Sequence, residues 1–343
     1  MLVWYREPLA CMMTFRILLR PFLVLAVGLG TTSLARSAEE PSLDELFEKG
    51  KELFDRYAPE EVKEQYEFPS KEQWDAFAAR LQGALDSNDV AELATHETDA
   101  RNALAALRLF PGYEDYADWL QERIDYIEAA KELEARPPTP PTPPTPVVPP
   151  VRAEPKPVTP RPVAVTPPDR LIPHYNLWLE RIRTRPLPRQ AGSLMPKLRA
   201  AFAAEGLPAE LAWIAETEST LNPAARSPAG AKGLFQLMPE TAKSLGLSVY
   251  LPDERSHVEK SAQAAAKYLK ALHGKFGSWP LALAAYNAGE GRVRRLMKSS
   301  GGSTFAAIAA ALPSETRMYV PKVCATIAVR AGVAPDQLAA PTG

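Results

Sequence analysis

Between Pro137 and Pro168, fifteen of thirty-two residues are proline, beginning with the run PPTPPTPPTP. Proline lacks an amide donor and fixes φ, so this stretch can join neither a helix interior nor a sheet ladder, and it holds few side chains that could pack. It reads as a polyproline II spacer, roughly 100 Å long if fully extended at ~3.1 Å per residue. The rival reading, a ligand for a proline-binding module, suits an exported chain poorly. Folding is therefore expected on either side of the spacer, in residues 39–136 and 169–343.

The two sides differ in charge. Residues 39–136 hold 26 Asp or Glu against 11 Lys or Arg, a balance of −15, whereas residues 169–343 hold 13 against 22, a balance of +9. The formal net charge of −1 is a cancellation between them. The net charge therefore excludes no charged partner, and no nucleic-acid partner is expected. The acidic half could recruit a protein partner or a cationic surface, or the halves could meet each other in a salt-sensitive contact.

Residues 1–38 read as an export signal: Arg6, Arg16 and Arg20 precede an apolar stretch, Phe22 to Gly30, followed by small residues with cleavage expected after Ala35 or Ala38. The apolar run is too short for a spanning helix, so no transmembrane segment is expected after cleavage. Cys11 precedes the run, unlike a lipid-attachment cysteine, and the mature chain keeps only Cys324. Two cysteines and four histidines without ligand spacing predict no disulfide framework, no metal and no cofactor.

Residues 39–136 carry helical apolar stripes, among them Trp74, Phe77, Leu81 and Leu85, then Trp119, Ile124 and Ile127. Ser70 with Gln73 fits a capping box. About four helices are expected, broken at Pro59, Pro69, Asn88 and Pro111-Gly112, forming a small bundle without chemistry of its own.

The second region becomes informative at LPAELAWIAETESTLNP, residues 207–223. Pro208 suits a first helical turn and Asn222-Pro223 an end. At 100° per residue Leu207, Leu211, Ile214, Ala215 and Glu218 share one stripe, with Glu216 on the opposite side. Glu218 is thus an acid on the buried face, where desolvation would raise its pKa and suit it to protonate a poor leaving group. Two blander readings stand beside that one: a buried Glu satisfied by a cation or backbone amide, or a helix that ends early enough to expose it. Gly230, Ala231 and Gly233 with Leu234, Gln236, Met238 and Pro239 then form a compact segment that lacks the ending of a phosphate-binding loop. Trp279-Pro280 opens LALAAYNAGEGRV, and residues 312–322 read LPSETRMYVPK. Tyr and Asn among small residues suit a sugar site.

In this order ES, GAxGLxQxMPxTA, AYNAG and ETRxYV closely resemble the soluble lytic transglycosylase (SLT) domain of glycoside hydrolase family 23, most like the membrane-bound lytic transglycosylase D branch. The likeness covers about residues 195–332. It implies an all-α fold: a lysozyme-like catalytic domain at 169–335 with a tail at 336–343, preceded by the bundle and the linker. It implies cleavage of the β-1,4 bond between N-acetylmuramic acid and N-acetylglucosamine in peptidoglycan glycan strands, with a 1,6-anhydro end, in the periplasm or cell envelope. Glu218 resembles the single catalytic acid and base. Ser227, Gln236 and Met238 match groove positions, Tyr286 and Asn287 match residues that contact glycan or position the acid, and Tyr319 matches the residue that orients the glutamate. For Glu315 and Arg317 a capping or salt-bridge role is expected, and Pro321 should kink its helix or begin a new one. The competing functions are a goose-type lysozyme, which would want a second acid such as Asp253, and a non-catalytic peptidoglycan-binding scaffold.

Overall fold

The computed structural model describes residues 71–109, 114–135 and 171–342, apart from Pro228, and a few positions between 48 and 63. The export signal, Ser70 of the expected capping box and the proline run lie outside the described residues. Among the described residues four helices with both ends defined lie on the acidic side: α1 Lys71–Asp86, α2 Val90–Ala94, α3 Glu97–Leu109 and α4 Glu114–Ala135. Nine more described helices lie on the basic side: α5 Tyr175–Arg183, α6 Ala191–Ala204, α7 Ile214–Ser219, α8 Pro239–Ser244, α9 Val258–Phe276, α10 Trp279–Ala288, α11 Glu290–Ser300, α12 Phe305–Ala309 and α13 Ser314–Ala331. The expected all-α class is the observed one. Among the described residues extended pairing is confined to two isolated bridges, Arg226–Lys232 and Lys232–Leu237. No described helix is long and apolar enough to cross a membrane.

Local sequence sets the helix limits. His257 caps α9 through the Lys260 amide, and Gly277 ends it at φ 70°. One residue later the Ser278 hydroxyl accepts the Leu281 amide and Pro280 sits in the first turn of α10. Helix α13 is the axis of the basic side. It packs against α5, α10, α7, α1 and α4, and is buried nearly without a break from Met318 to Ile327. The sequence predicts that Pro321 kinks this helix or begins a new one. No new helix begins there: one helix continues through it, with Met318, Tyr319, Val320, Val323 and Cys324 held in the core on all sides of the missing hydrogen bond. Burial also pushes the Cys324 thiol up to about 12.

The helix expected across 208–222 is shorter and divided. A 3-10 turn, Ala209–Trp213, leads into α7. The helix stops at Ser219 because Thr220 and Leu221 turn left-handed, at φ 51° and 62°. The Leu221 amide then reaches back to the Ala215 carbonyl at 3.2 Å, which closes the end of the helix. The outcome places Glu218 on the last turn, at the mouth of the core.

The oppositely charged sides meet. Asp125 of α4 accepts Arg181 at 2.9 Å and Lys322 at 2.8 Å, and also pairs with Arg185. Glu122 accepts the Thr220 hydroxyl at 2.8 Å and pairs with Lys322, whose side chain is only 2% exposed. Arg123 pairs with Glu315 at 2.8 Å. At the edge the Ser314 amide donates to the Ser87 carbonyl at 2.6 Å, and the Arg317 guanidinium to that of Asn88, also at 2.6 Å. Burial would raise the Asp125 carboxyl, but Lys322 and Arg185 hold it well below the usual carboxylate range.

Candidate active site

Two glutamates on α7 meet opposite fates. Glu216 faces Arg330, which holds it with two nitrogens at 2.7 to 3.2 Å. Glu218, partly buried, accepts the Tyr319 hydroxyl through Oε1 at 2.5 Å. Tyr319 is 1% exposed on α13, so its ring and hydroxyl are fixed by packing. Burial is the main influence on the Glu218 carboxyl and raises it from 4.5 to about 7. The Tyr319 hydrogen bond and the Arg123 charge oppose the rise, while Glu315 and Glu122 add to it. A carboxyl titrating near neutrality can give a proton in one step and take one in the next.

The loop 225–238 is knitted by its own polar groups. The Ser227 amide donates to the Ala231 carbonyl and the Ala231 amide to the Ser227 hydroxyl, both at 3.0 Å. The Gly233 amide donates to the Ala225 carbonyl at 2.8 Å. Arg255, buried beside the loop, donates to the Gly230 carbonyl at 2.7 Å and that of Leu237 at 3.2 Å. The Ser219 hydroxyl bonds the Leu234 carbonyl at 3.0 Å, which ties the end of α7 to the loop. Tyr286 donates from α10 to the Phe235 carbonyl at 2.7 Å.

The residues singled out by sequence fall into three places. Tyr319 bonds Glu218 directly. Gln236, at φ 44°, lines one small cavity with Glu218, while its amide donates to the carbonyls of Gly233 at 2.9 Å and Ala225 at 3.2 Å. Ser227 and Tyr286 close and tether the loop, and the Asn287 carbonyl oxygen accepts the Thr316 hydroxyl at 2.6 Å. Met238, 43% exposed, stands at the start of α8. Glu315 pairs with Arg123 rather than capping α13. Asp253 caps the 3-10 turn Glu254–Ser256 and pairs with Arg255 at 2.8 Å and Lys232 at 3.0 Å. Burial would raise that carboxyl, but the Arg255 and Lys232 hydrogen bonds hold it below its ordinary value. Among the described residues no group of His, Cys, Asp or Glu could hold a metal ion.

Sequence reasoning placed no chemistry in the acidic helices, and here the structure adds to it. Asp118, Trp119 and Glu122 of α4 line the cavity that contains Glu218, together with Ser219, Thr220 and Gln236. The Arg123 guanidinium lies 4.8 Å from the centre of the Trp119 ring. The available signal was the spacing of Asp118, Glu122 and Asp125, which aligns three acids on one face of α4 toward a basic partner.

Residues 198–308 match the family model of the transglycosylase SLT domain. The chain is 38% identical over 123 residues to membrane-bound lytic murein transglycosylase D of Escherichia coli K12, covering 35% of this chain and 27% of that protein. It is 41% identical over 120 residues to the soluble lytic murein transglycosylase of Salmonella typhimurium LT2, covering 33% of this chain and 19% of that one. The match therefore spans about a quarter or less of these relatives. Among solved structures, the 70 kDa soluble lytic transglycosylase of Escherichia coli aligns at a TM-score of 0.38 and 21% identity, over 87% of this chain and 59% of that chain. Residues 198–308 thus carry an SLT domain, similar to those of lytic murein transglycosylase D and the soluble lytic murein transglycosylase.

Proposed function

We propose that the protein is a peptidoglycan lytic transglycosylase of the cell envelope, exported by its first 38 residues, with Glu218 as its single general acid and base. The observation that carries this reading is a desolvated carboxyl, raised to about 7 and aimed by the Tyr319 hydroxyl, inside an SLT domain. Glu218 gives its proton to the glycosidic oxygen between N-acetylmuramic acid and N-acetylglucosamine, and the N-acetylglucosamine leaves with a 4-hydroxyl. The resulting carboxylate takes the proton of the muramic acid 6-hydroxyl, whose oxygen closes on the anomeric carbon. The 1,6-anhydro end forms, Glu218 is protonated again, and no water is consumed. Gln236 lines the Glu218 cavity, Ser227, Tyr286 and Asn287 hold the surrounding loop and helices, and Met238 offers an apolar surface at the groove edge.

The hydrolytic alternative needs a second acid to handle water. Asp253 is engaged by Arg255 and Lys232, which favours the single-acid mechanism. Digestion of purified peptidoglycan by the full chain, followed by product masses, tests the reading. Anhydro-muropeptides are expected, and an absence of soluble products would favour a binding scaffold.

Tyr319 serves as a positioning residue. Tyr319→Phe removes the hydrogen bond that lowers the Glu218 pKa, so the alkaline limb of kcat/KM should move above its wild-type position near 7. The rate below that limb should fall roughly 10- to 100-fold, the range for a lost hydrogen bond to a charged group. A pH profile of unchanged midpoint would count against this role.

A further inference from the structure

We propose that the acidic helices are a charge-latched cover over the Glu218 cleft, so that the chain as described is a closed form. This rests on the transglycosylase reading. The cavity where Asp118, Trp119 and Glu122 face Glu218 has a volume of about 10 Å³. That is space for about one water and none for a sugar ring. A glycan strand that reaches the carboxyl from this side must displace α4.

The contact that holds α4 combines ion pairs with an aromatic one, the Tyr126 ring meeting that of Trp178 edge-on at 5.9 Å. Asp125 is the centre of the latch, taking Arg181, Arg185 and Lys322. Lys322 also holds Glu122, and its ammonium lies 4.9 Å from the Tyr126 ring centre and 5.4 Å from that of Trp178. Arg123 clamps Glu315 on one side and lies over Trp119 on the other. Glu122, Asp125, Glu128 and Glu132 of α4 thus have cations on the basic side, and an uncompensated charge would remain wherever one partner is removed. A polyanionic substrate competes for the same cations: peptidoglycan carries stem-peptide carboxylates, so its approach to the basic side, at +9, opposes the grip of the acidic side, at −15. The proline-rich segment 137–168 keeps the displaced cover on the same chain.

The test uses the full chain and its Asp125→Asn and Glu122→Gln variants, each with Glu218 intact. Two readouts are taken together: hydrogen exchange of residues 114–135, and the rate of anhydro-muropeptide release from purified sacculi. Far-ultraviolet circular dichroism confirms that each variant keeps its helices. Asp125→Asn is expected to raise exchange in α4 and to speed release about tenfold, the consequence of removing the anion at the centre of the latch. Glu122→Gln is expected to act in the same direction and more weakly. Faster exchange with an unchanged rate would overturn the cover. Faster exchange with a lower rate would also overturn it and would make α4 a wall of the substrate groove. Unchanged exchange would overturn the latch. Release of product by none of the three proteins, with exchange raised, would overturn the transglycosylase reading and leave the latch standing.

Discussion

Glu218→Gln should abolish release of anhydro-muropeptides, with a loss of about 10²- to 10⁴-fold, the range associated with one general acid–base group. The glutamine keeps a carbonyl oxygen for the Tyr319 hydroxyl, so the site geometry survives while the transferable proton is lost. The same variant carries a second signature in stability. In the folded chain the Glu218 pKa is about 7 against an ordinary 4.5, so the folded state binds the extra proton within that window. The contribution of Glu218 to stability is therefore complete below about 4.5 and is lost as pH rises through about 7. Glutamine does not titrate. The thermal midpoint of Glu218→Gln, measured against wild type, should accordingly improve between pH 5 and pH 8. A difference that stays flat across that range would mean that the carboxyl is not desolvated.

Gly233→Ala should be the most damaging single-methyl change in the loop beside the site. Gly233 sits at φ +81°, and a Cβ there would lie 2.0 Å from the Arg255 carbonyl oxygen, a backbone atom that cannot swing aside. Left-handed strain alone costs about 1–2 kcal/mol for a non-glycine residue, and the clash adds to it, so a loss of more than about 3 kcal/mol is expected. Arg255 also holds Gly230 and Leu237, so the displaced backbone would loosen the loop that carries Ser227 and Gln236. Gly246→Ala is the control. It has nearly the same φ, +84°, with nothing within 4 Å of the added carbon, and should cost only about 1–2 kcal/mol. Urea unfolding of both variants measures the gap, and equal losses would mean that the Arg255 carbonyl yields.

Much of this arrangement was legible from residue spacing. The 3.6-residue period that aligned Ile214 and Ala215 with Glu218 and turned Glu216 away also separates the acid near the core from the glutamate paired with Arg330. The order of motifs from Glu218 to Tyr319 brought together residues 101 positions apart in sequence. What spacing did not carry was tertiary. Propensity and Asn222-Pro223 suggested a longer helix, and the left-handed turn at Thr220 and Leu221 ended it first. Proline at 321 argued for a kink or a new helix, and one helix, α13, continues through it with burial on every side. Trp119 was read as one more core residue of an apolar stripe, yet it lines the Glu218 cavity. Helical periodicity tells which face of α4 is shared, and only the fold tells what that face meets.

The single-acid mechanism is tested most directly by digesting purified peptidoglycan with the full chain in water enriched in heavy oxygen and weighing the products. Closure by the muramic acid 6-hydroxyl takes no oxygen from solvent, so every new end should be one water lighter than a reducing sugar and carry no heavy oxygen. A reducing muramic acid end labelled with heavy oxygen would mean that water attacks the anomeric carbon, and would contradict it.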